Sequence, residues 1–466
     1  MAHLQIADSD SGQVRSVFEE SVETYFESGS QSSNWRVLFE SNEFIWFSER
    51  DNWGHLYLYD LSSGTLKHQI TSGFWNVTVL YEVDEEGRQL YFRGSVDGAV
   101  DPYYQTLYVS DFDSKALVNL TPEPLNHVIN WSQSGLYFSD VYSTPSIPPQ
   151  AALRNQAGER VLDLGEADIS ALIAQGWVAP IAFSVKARDQ LSDLYGLMYK
   201  PSNFDDTLKY PVLNYLYPGP QSGSVGSRSF RSARADKQAL AELGFIVVEV
   251  DAMGTPGRSK SFHDAYYGDM GDNGLPDQVA MIRQLGARYA WMDLDNIGIW
   301  GHSGGGFAST AGLLRYPEFY KVAVSGAGNH DNRNYEDDWG EKWQGLLVEY
   351  PETNPEDVSS SQSNPDKPIA KTNYDSQANQ LLVDNLQGKL LLAHGLMDDN
   401  VHPSNTFLVV DALIKADKDF DMFVLPSATH GFGNRRFFMQ RRWDYFVQHL
   451  KHVSPPSDFV FSDNIR

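Results

Sequence analysis

A serine framed by glycines carries the first chemical signal. In Gly301-His302-Ser303-Gly304-Gly305-Gly306, residues 296–300 read as a strand and 307–314 as a helix, so Ser303 falls on the sharp turn between them. A nucleophile elbow requires that context, because a serine on so tight a turn tolerates only small neighbours where its backbone nears the following helix. Gly-x-Ser-x-Gly also occurs in plain turns, so the motif needs partners. Two lie downstream. Lys389-Leu-Leu-Leu-Ala-His-Gly395 reads as a buried strand with Asp398-Asp399 just beyond it, and the strand at 420–425 is followed by Ser427-Ala-Thr-His430-Gly431. The order Ser, Asp, His, each just past the end of a strand, is that of an α/β-hydrolase triad, with Ser303 as nucleophile.

The elements that must hold these residues divide the chain in two. From 181 onward strands alternate with helices, as in a doubly wound parallel sheet: strands at 181–186, 193–199, 212–216, 245–250, 296–300, 322–325, 389–393 and 420–425. Helices are expected at 276–289, with Val279, Ile282, Leu285 and Tyr289 inward, at 403–414, with Phe407, Val410 and Ile414 inward, and at 434–450, with Met439, Trp443, Phe446, Val447 and Leu450 inward. Residues 34–163 differ, showing short aromatic and apolar runs between turns. Trp46-Phe47, Tyr91-Phe92 and Tyr137-Phe138 recur at intervals of 45 and 46 residues, and Leu56-Tyr-Leu-Tyr-Asp60 is echoed by Leu107-Tyr-Val-Ser-Asp111. A period near 45 with several strands per unit marks propeller blades.

The expected fold class is therefore α/β: a C-terminal α/β-hydrolase domain over 166–466, preceded over 1–165 by part of a β-propeller of about three blades. Propellers close with about four to eight blades, so the expectation is a truncated product or blades supplied by another chain; a small stack of meanders is the plainer alternative. A helix at 166–175 is expected to bridge the two.

Composition narrows the partners. The 466 residues include 36 basic and 61 acidic ones, a net charge of -25 that repels phosphate backbones and anionic lipid, so nucleic acid is not an expected partner. With 41% hydrophobic and 13% aromatic residues the chain can build a sizeable core. It has no cysteine, which removes disulfides, thiol nucleophiles and Cys-based zinc sites and leaves the redox compartment open. No apolar run reaches the roughly 18 residues of a spanning helix, and the first residues have no signal-peptide pattern, so a soluble chain is expected, cytoplasmic or periplasmic, with a homo-oligomer compatible. His302, His330, His394 and His402 lack a metal-ligand spacing; no metal and no cofactor is expected.

The hydrolase half resembles the prolyl oligopeptidase family of serine peptidases, in its dipeptidyl peptidase IV branch. The resemblance rests on Tyr210-Pro-Val-Leu-Asn-Tyr-Leu-Tyr-Pro-Gly-Pro220, Val250-Asp-Ala-Met-Gly-Thr-Pro-Gly257, Gly301-His-Ser-Gly-Gly305, His394-Gly-Leu-Met-Asp-Asp-Asn-Val401 and His430-Gly431. It implies that Ser303 attacks a peptide carbonyl, that His430 shuttles the proton and that Asp398 orients the histidine, Asp399 being the reserve. It further implies an oxyanion hole from the Tyr217 hydroxyl and the Gly304 N–H, and substrate contacts at Asn400, Val401, Tyr335 and Trp339.

The implied activity is hydrolysis of short peptides through an acyl-enzyme, dipeptidyl-peptidase-like, with Pro or Ala before the scissile bond. Two other readings use the same residues: an acylaminoacyl peptidase or esterase with the same triad, and a catalytically silent propeller binding module. The chain departs from the branch twice. Gly304 replaces the aromatic that follows the nucleophile, and the adjacent pairs Glu19-Glu20 and Glu85-Glu86 do not stand where the family grips a substrate's amino terminus; both read as solvated charge.

Overall fold

Strands whose two faces are both covered lose the alternation of polar and apolar residues, and in the amino-terminal half Glu43–Ser48 and His55–Asp60 are such strands. In the computed structural model, which describes residues 1–28, 34–95, 101–114, 116–350 and 371–461, three four-stranded antiparallel sheets follow one another. They comprise Arg36–Leu38 to Leu66–Gln69, Val77–Asp84 to Leu117–Asn119, and Asn126–Trp131 to Arg160–Glu166. The aromatic pairs noted above each fall on the second strand of their sheet. Glu43–Ser48 is buried along its whole length. Its even and odd residues serve different cores: Ile45 and Phe47 pack with Leu56, Leu58, Leu90 and Phe92, while Phe44 and Trp46 pack with Tyr57 and Tyr59. Tyr91, on the opposite face from Phe92, joins Ile129 and Phe138 of the third sheet. The sheets therefore stack face to face, as a propeller-like region requires.

Three local outcomes differ from expectation. Ala2–Ala7 and Val14–Glu20 form an additional hairpin that packs on Phe44 and Trp46 through Leu4, Val17 and Phe18. Glu166 is the last residue of a strand, paired with Gln150, so only Ser170–Ala174 of the expected bridging helix is helical. Glu20 is not solvated charge: it is 9% exposed and accepts hydrogen bonds from Trp46 Nε1 at 2.6 Å and from the Ser48 hydroxyl, with the Arg50 guanidinium at 3.2 Å. Glu19 is exposed, and Glu85 accepts from Ser41.

By its internal contacts the chain forms two units, one of Met1–Ile181, Val225–Ser232 and Thr255–Ala265, the other of Ala182–Ser224, Ala233–Gly254 and Tyr266–Arg466. The second is organised by an eight-stranded sheet, β1 (Ile181–Lys186), β2 (Asp193–Tyr199), β3 (Tyr210–Tyr215), β4 (Ile246–Asp251), β5 (Met292–His302), β6 (Val322–Gly326), β7 (Lys389–Gly395) and β8 (Asp421–Leu425), in the order β1-β2-β4-β3-β5-β6-β7-β8. β2 runs antiparallel to β4; from β4 to β8 every pair is parallel. Helices α1 (Lys237–Glu242), α2 (Leu275–Arg288), α3 (Gly304–Arg315), α4 (Asp337–Gln344), α5 (Ser404–Lys415) and α6 (Arg436–Leu450) accompany it. Val279, Ile282 and Leu285 of α2 are buried, as are Trp443, Phe446, Val447 and Leu450 of α6.

On α5 the inward face is not the expected one. Phe407 is 42% and Ile414 65% exposed, whereas Thr406, Val409 and Leu413 are buried. The helix is turned so that Thr406 can bond His394 and Asn405 can donate to the carbonyl of Asn334 at 2.8 Å, and those polar anchors displaced the apolar stripe from the core. Among the described residues no helix is long and apolar enough to cross a membrane.

Candidate active site

β5 delivers Ser303 to the carboxyl end of the sheet, flanked by β3 and β6 in parallel register, with Trp300 opposite Tyr215 and Val324. Ser303 has φ 59° and ψ -124°, a conformation that a residue with a Cβ adopts only when the surroundings enforce it, at a cost on the order of 1 to 2 kcal/mol. Two backbone bonds do so: Ser303 N–H donates to the Gly326 carbonyl at 2.8 Å, and Phe307 N–H donates to the Ser303 carbonyl at 3.0 Å. The turn also needs glycine at 305, where a Cβ would stand 2.4 Å from the Leu216 carbonyl oxygen.

Asp398 follows β7 and is buried, with 3% exposure. Its Oδ1 accepts the N–H groups of Asn400 at 3.1 Å and Val401 at 2.9 Å, which fixes the carboxylate plane. Its Oδ2 receives Nδ1 of His430 at 2.8 Å, with His394 Nε2 at 3.3 Å. A carboxylate only accepts, so Nδ1 of His430 carries the proton and, in the neutral ring, Nε2 keeps its lone pair. Asp399, the reserve, is exposed.

His430 begins a short 3₁₀ turn, His430–Phe432, tied down from two sides. His302 Nε2 donates to the His430 carbonyl at 2.6 Å, and the two rings lie 5.1 Å apart. Burial, helped by the neighbouring His430, pushes His302 down to about 4, so near neutrality it is an uncharged donor. On the other side Arg442 donates to the Gly433 carbonyl at 3.3 Å and pairs with the buried Asp236, which also accepts Trp443 Nε1 at 2.7 Å.

Tyr217, just past β3, has a hydroxyl oxygen that accepts from Gln221, whose Nε2 donates to it at 3.1 Å. Burial raises the phenol above its ordinary value, so it stays protonated and able to donate. Gly304 opens α3; a Cβ there would lie 3.8 Å from Tyr217 Cζ, an ordinary contact, which sets the residue after Ser303 against the phenol ring. Tyr335 and Trp339 meet edge to face, 5.5 Å apart. Tyr335 donates to Asn400 Oδ1 at 3.3 Å, and Trp339 Nε1 to Gln221 Oε1 at 3.3 Å. Burial, with Glu336 nearby, pushes the Tyr335 phenol up to about 12.

Contacts join several of the residues singled out from the sequence: Asp398 with His430, Tyr335 with Asn400 and Trp339, and Trp339 through Gln221 with Tyr217. Val401 is fully buried and its carbonyl accepts His394 Nε2 at 2.8 Å, so it lies beneath the surface of the site rather than on it. Gln221 is the residue sequence reasoning overlooked; its only signal was its position four residues after Tyr217 across a glycine turn. The other histidines have structural partners: His394 bonds Thr406 at 2.7 Å, His330 bonds Asn379 at 3.0 Å, and His402 bonds Ser404 at 2.8 Å.

One cluster in the first unit, Glu123, His127 and Asp140, has donors close enough for a metal ion. Apart from Glu123 Oε2, which is buried without a partner among the described residues, its side-chain donor atoms are engaged. Arg154 spans Asp140 at 2.9 Å and Glu123 at 2.7 Å, and both ring nitrogens of His127 are bonded, to Asp140 and to the Glu123 carbonyl. The donor set fits an ion-pair network with an internal guanidinium, not a resident metal.

Residues 231–453 match the family model described as "Prolyl oligopeptidase family", and residues 1–149 match that of the "Dipeptidyl peptidase IV (DPP IV) N-terminal region". Human dipeptidyl peptidase 8 is 29% identical over 382 residues, covering 78% of this chain and 39% of that protein; a probable dipeptidyl peptidase 4 of Aspergillus flavus is 26% identical over 373 residues, covering 80% and 46%. The chain therefore spans less than half the length of these relatives. Among solved structures, the dipeptidyl peptidase 4 of Porphyromonas gingivalis superposes with a TM-score of 0.81 at 25% identity, over 96% of this chain and 60% of that one. A putative dipeptidyl aminopeptidase IV of Bacteroides ovatus superposes with 0.74 at 27%, over 88% and 57%.

Proposed function

We propose from these matches that the chain is a serine peptidase of the prolyl oligopeptidase family whose triad is Ser303, Asp398 and His430. His430 Nε2 takes the Ser303 hydroxyl proton as the oxygen attacks the carbonyl carbon of the scissile bond; the Tyr217 hydroxyl and the Gly304 N–H receive the charge on the carbonyl oxygen. The proton passes to the leaving amine, the C–N bond breaks and an acyl-enzyme remains. Water, deprotonated by His430, then releases the acid and restores the serine. The observation that carries this reading is the 2.8 Å bond from His430 Nδ1 to a buried Asp398 whose other oxygen is fixed by two backbone N–H groups, on the same sheet edge as a serine held at positive φ.

Substrate preference follows from the rings. Tyr335 and Trp339, edge to face beside Tyr217 and Asn400, offer flat apolar surfaces that suit proline or alanine before the scissile bond. Release of dipeptides is supported by the similarity to dipeptidyl peptidase 8 and to a probable dipeptidyl peptidase 4. Of the glutamate pairs in this chain, Glu20 is already engaged by Trp46, Ser48 and Arg50. The three stacked sheets and their period of 45 to 46 residues support reading 1–165 as propeller blades and 166–466 as the catalytic domain.

Turnover of a dipeptide amide reporter ending in proline, by wild type and by Ser303→Ala, tests the assignment. Loss of turnover in the variant is expected; equal turnover would reject it.

A further inference from the structure

Gln221 holds a position between two hydrogen-bonding groups of opposite capacity. The indole Nε1–H of Trp339 can only donate, and it meets Oε1 of Gln221 at 3.3 Å. The amide orientation is thereby fixed, and the other end of the side chain must present Nε2–H to the Tyr217 hydroxyl oxygen, 3.1 Å away. A phenol has one proton. With its oxygen accepting from Gln221, that proton is left to point elsewhere, and the ring stands against the residue after Ser303, where a Cβ at Gly304 would lie 3.8 Å from Tyr217 Cζ.

The turn is shaped for this arrangement. A Cβ at Gly219 would stand 2.8 Å from both Gln221 Oε1 and Tyr217 Cε1, and 2.9 Å from Gln221 Nε2, so glycine at 219 lets the amide fold back over the ring.

We propose that Gln221 is a positioning residue that makes Tyr217 a hydrogen-bond donor toward the reacting oxygen, with Trp339 setting the direction of the relay. The inference rests on the reading of Tyr217 as an oxyanion donor. The relay runs Trp339 N–H to Gln221 Oε1, then Gln221 N–H to Tyr217 O, then Tyr217 O–H to the substrate carbonyl oxygen as it becomes anionic. It also couples the aromatic pair that would hold the substrate side chain to the group that would stabilise charge. Trp339 contacts Tyr335, and Tyr335 contacts Asn400, so movement of the pair on substrate entry changes the aim of the phenol proton.

The test uses an isostere that reverses polarity. In Gln221→Glu the shape is kept and Trp339 can still donate to one oxygen, but the other can only accept, so the Tyr217 proton is drawn to that carboxylate oxygen. Gln221→Ala removes the relay without reversing it. The expected result with the proline reporter is a fall in kcat of about threefold to tenfold in Gln221→Ala and at least a further tenfold in Gln221→Glu, with KM changed less than about threefold in both. In a Tyr217→Phe background neither change has a further effect.

A purely structural side chain would give the opposite order, with the isostere close to wild type, and that order would overturn the inference. So would equal losses with and without the Tyr217 hydroxyl. An inactive wild type would reject the peptidase reading itself and leave a second readout: the Tyr217 Cζ resonance of [ζ-13C]tyrosine-labelled protein at pH 7, assigned by its disappearance in Tyr217→Phe. It should move in Gln221→Ala and further in Gln221→Glu. An unchanged resonance in Gln221→Glu would overturn the relay.

Discussion

The imidazole of His302 donates through Nε2 to the backbone carbonyl of His430 at 2.6 Å, so the residue preceding Ser303 holds the loop that carries Ser303's proposed base. Nδ1 of the same ring is buried and has no hydrogen-bond partner among the described residues. The ring is therefore used at one end only, as a fixed neutral donor. His302→Phe keeps a ring and removes the donor, worth about 1 kcal/mol for an ordinary hydrogen bond. The expected outcome is a drop in kcat of about fivefold to tenfold with KM little changed, measured with the proline reporter.

The same residue gives the chain an acid sensitivity of predictable sign. His302 titrates near 4 when folded and near 6.5 in an unfolded chain. Above 6.5 the ring is neutral in both states and its contribution to stability is complete. Between 6.5 and 4 only the unfolded chain binds the proton, so stability is lost as pH falls through that window. His330, pushed down to about 3 mainly by burial, acts in the same sense in wild type and variant alike. Urea midpoints measured from pH 7 to pH 4 should therefore fall less steeply in His302→Phe than in wild type.

Adjacent aspartates offer an internal control. Asp398 is buried and bonded to His430, whereas Asp399 is exposed. Asp398→Asn leaves the shape but presents an amide to Nδ1, favouring the wrong tautomer, and should lower kcat by about 10⁴-fold, the magnitude known for the equivalent change in a serine protease triad. Asp399→Asn should stay within about twofold of wild type.

Tyr217→Phe removes one of two proposed oxyanion donors while keeping the ring against Gly304. The expected loss is about 10²- to 10³-fold in kcat with a much smaller effect on KM, because the bond strengthens only as charge develops on the carbonyl oxygen. A loss confined to KM would make Tyr217 a pocket wall instead.

Stability rather than chemistry should report on Asp236 and Arg442, both about 95% buried. Burial alone would raise the Asp236 carboxyl, yet the Arg442 guanidinium holds it below the usual range. Arg442→Met strands a buried carboxylate and should destabilise the fold by about 3 to 5 kcal/mol in denaturant titrations. It also frees the Gly433 carbonyl beside the His430 turn.

Much of the second unit was legible in its sequence because parallel strands are short apolar runs that stop at turn residues. Among the parallel strands, those expected at 322–325, 389–393 and 420–425 fall within two residues of β6, β7 and β8 at each end, and outside them the strands expected at 181–186 and 193–199, the latter antiparallel to its neighbour β4, coincide with β1 and β2. Side-chain orientation was less legible where polar groups compete for the interior. On α5 the bonds made by Asn405 and Thr406 outweighed Phe407 and Ile414. Glu20 read as surface charge because its partners, Trp46 and Ser48 on the next sheet and Arg50 in the turn after it, are 26 or more residues away. Gln221 was invisible for the same reason: Trp339, the donor that orients it, is 118 residues distant. Local spacing encodes elements and motifs; long-range polar pairing appears only once the chain is folded.

Reaction of the chain with an organophosphonate, followed by peptide mapping, tests the central claim most directly, because a serine is phosphonylated rapidly only when a base and an oxyanion hole act on it together. A single adduct on Ser303, formed at least about 10³-fold more slowly in His430→Ala, is the predicted result. An unmodified Ser303, or labelling that does not depend on His430, would contradict it.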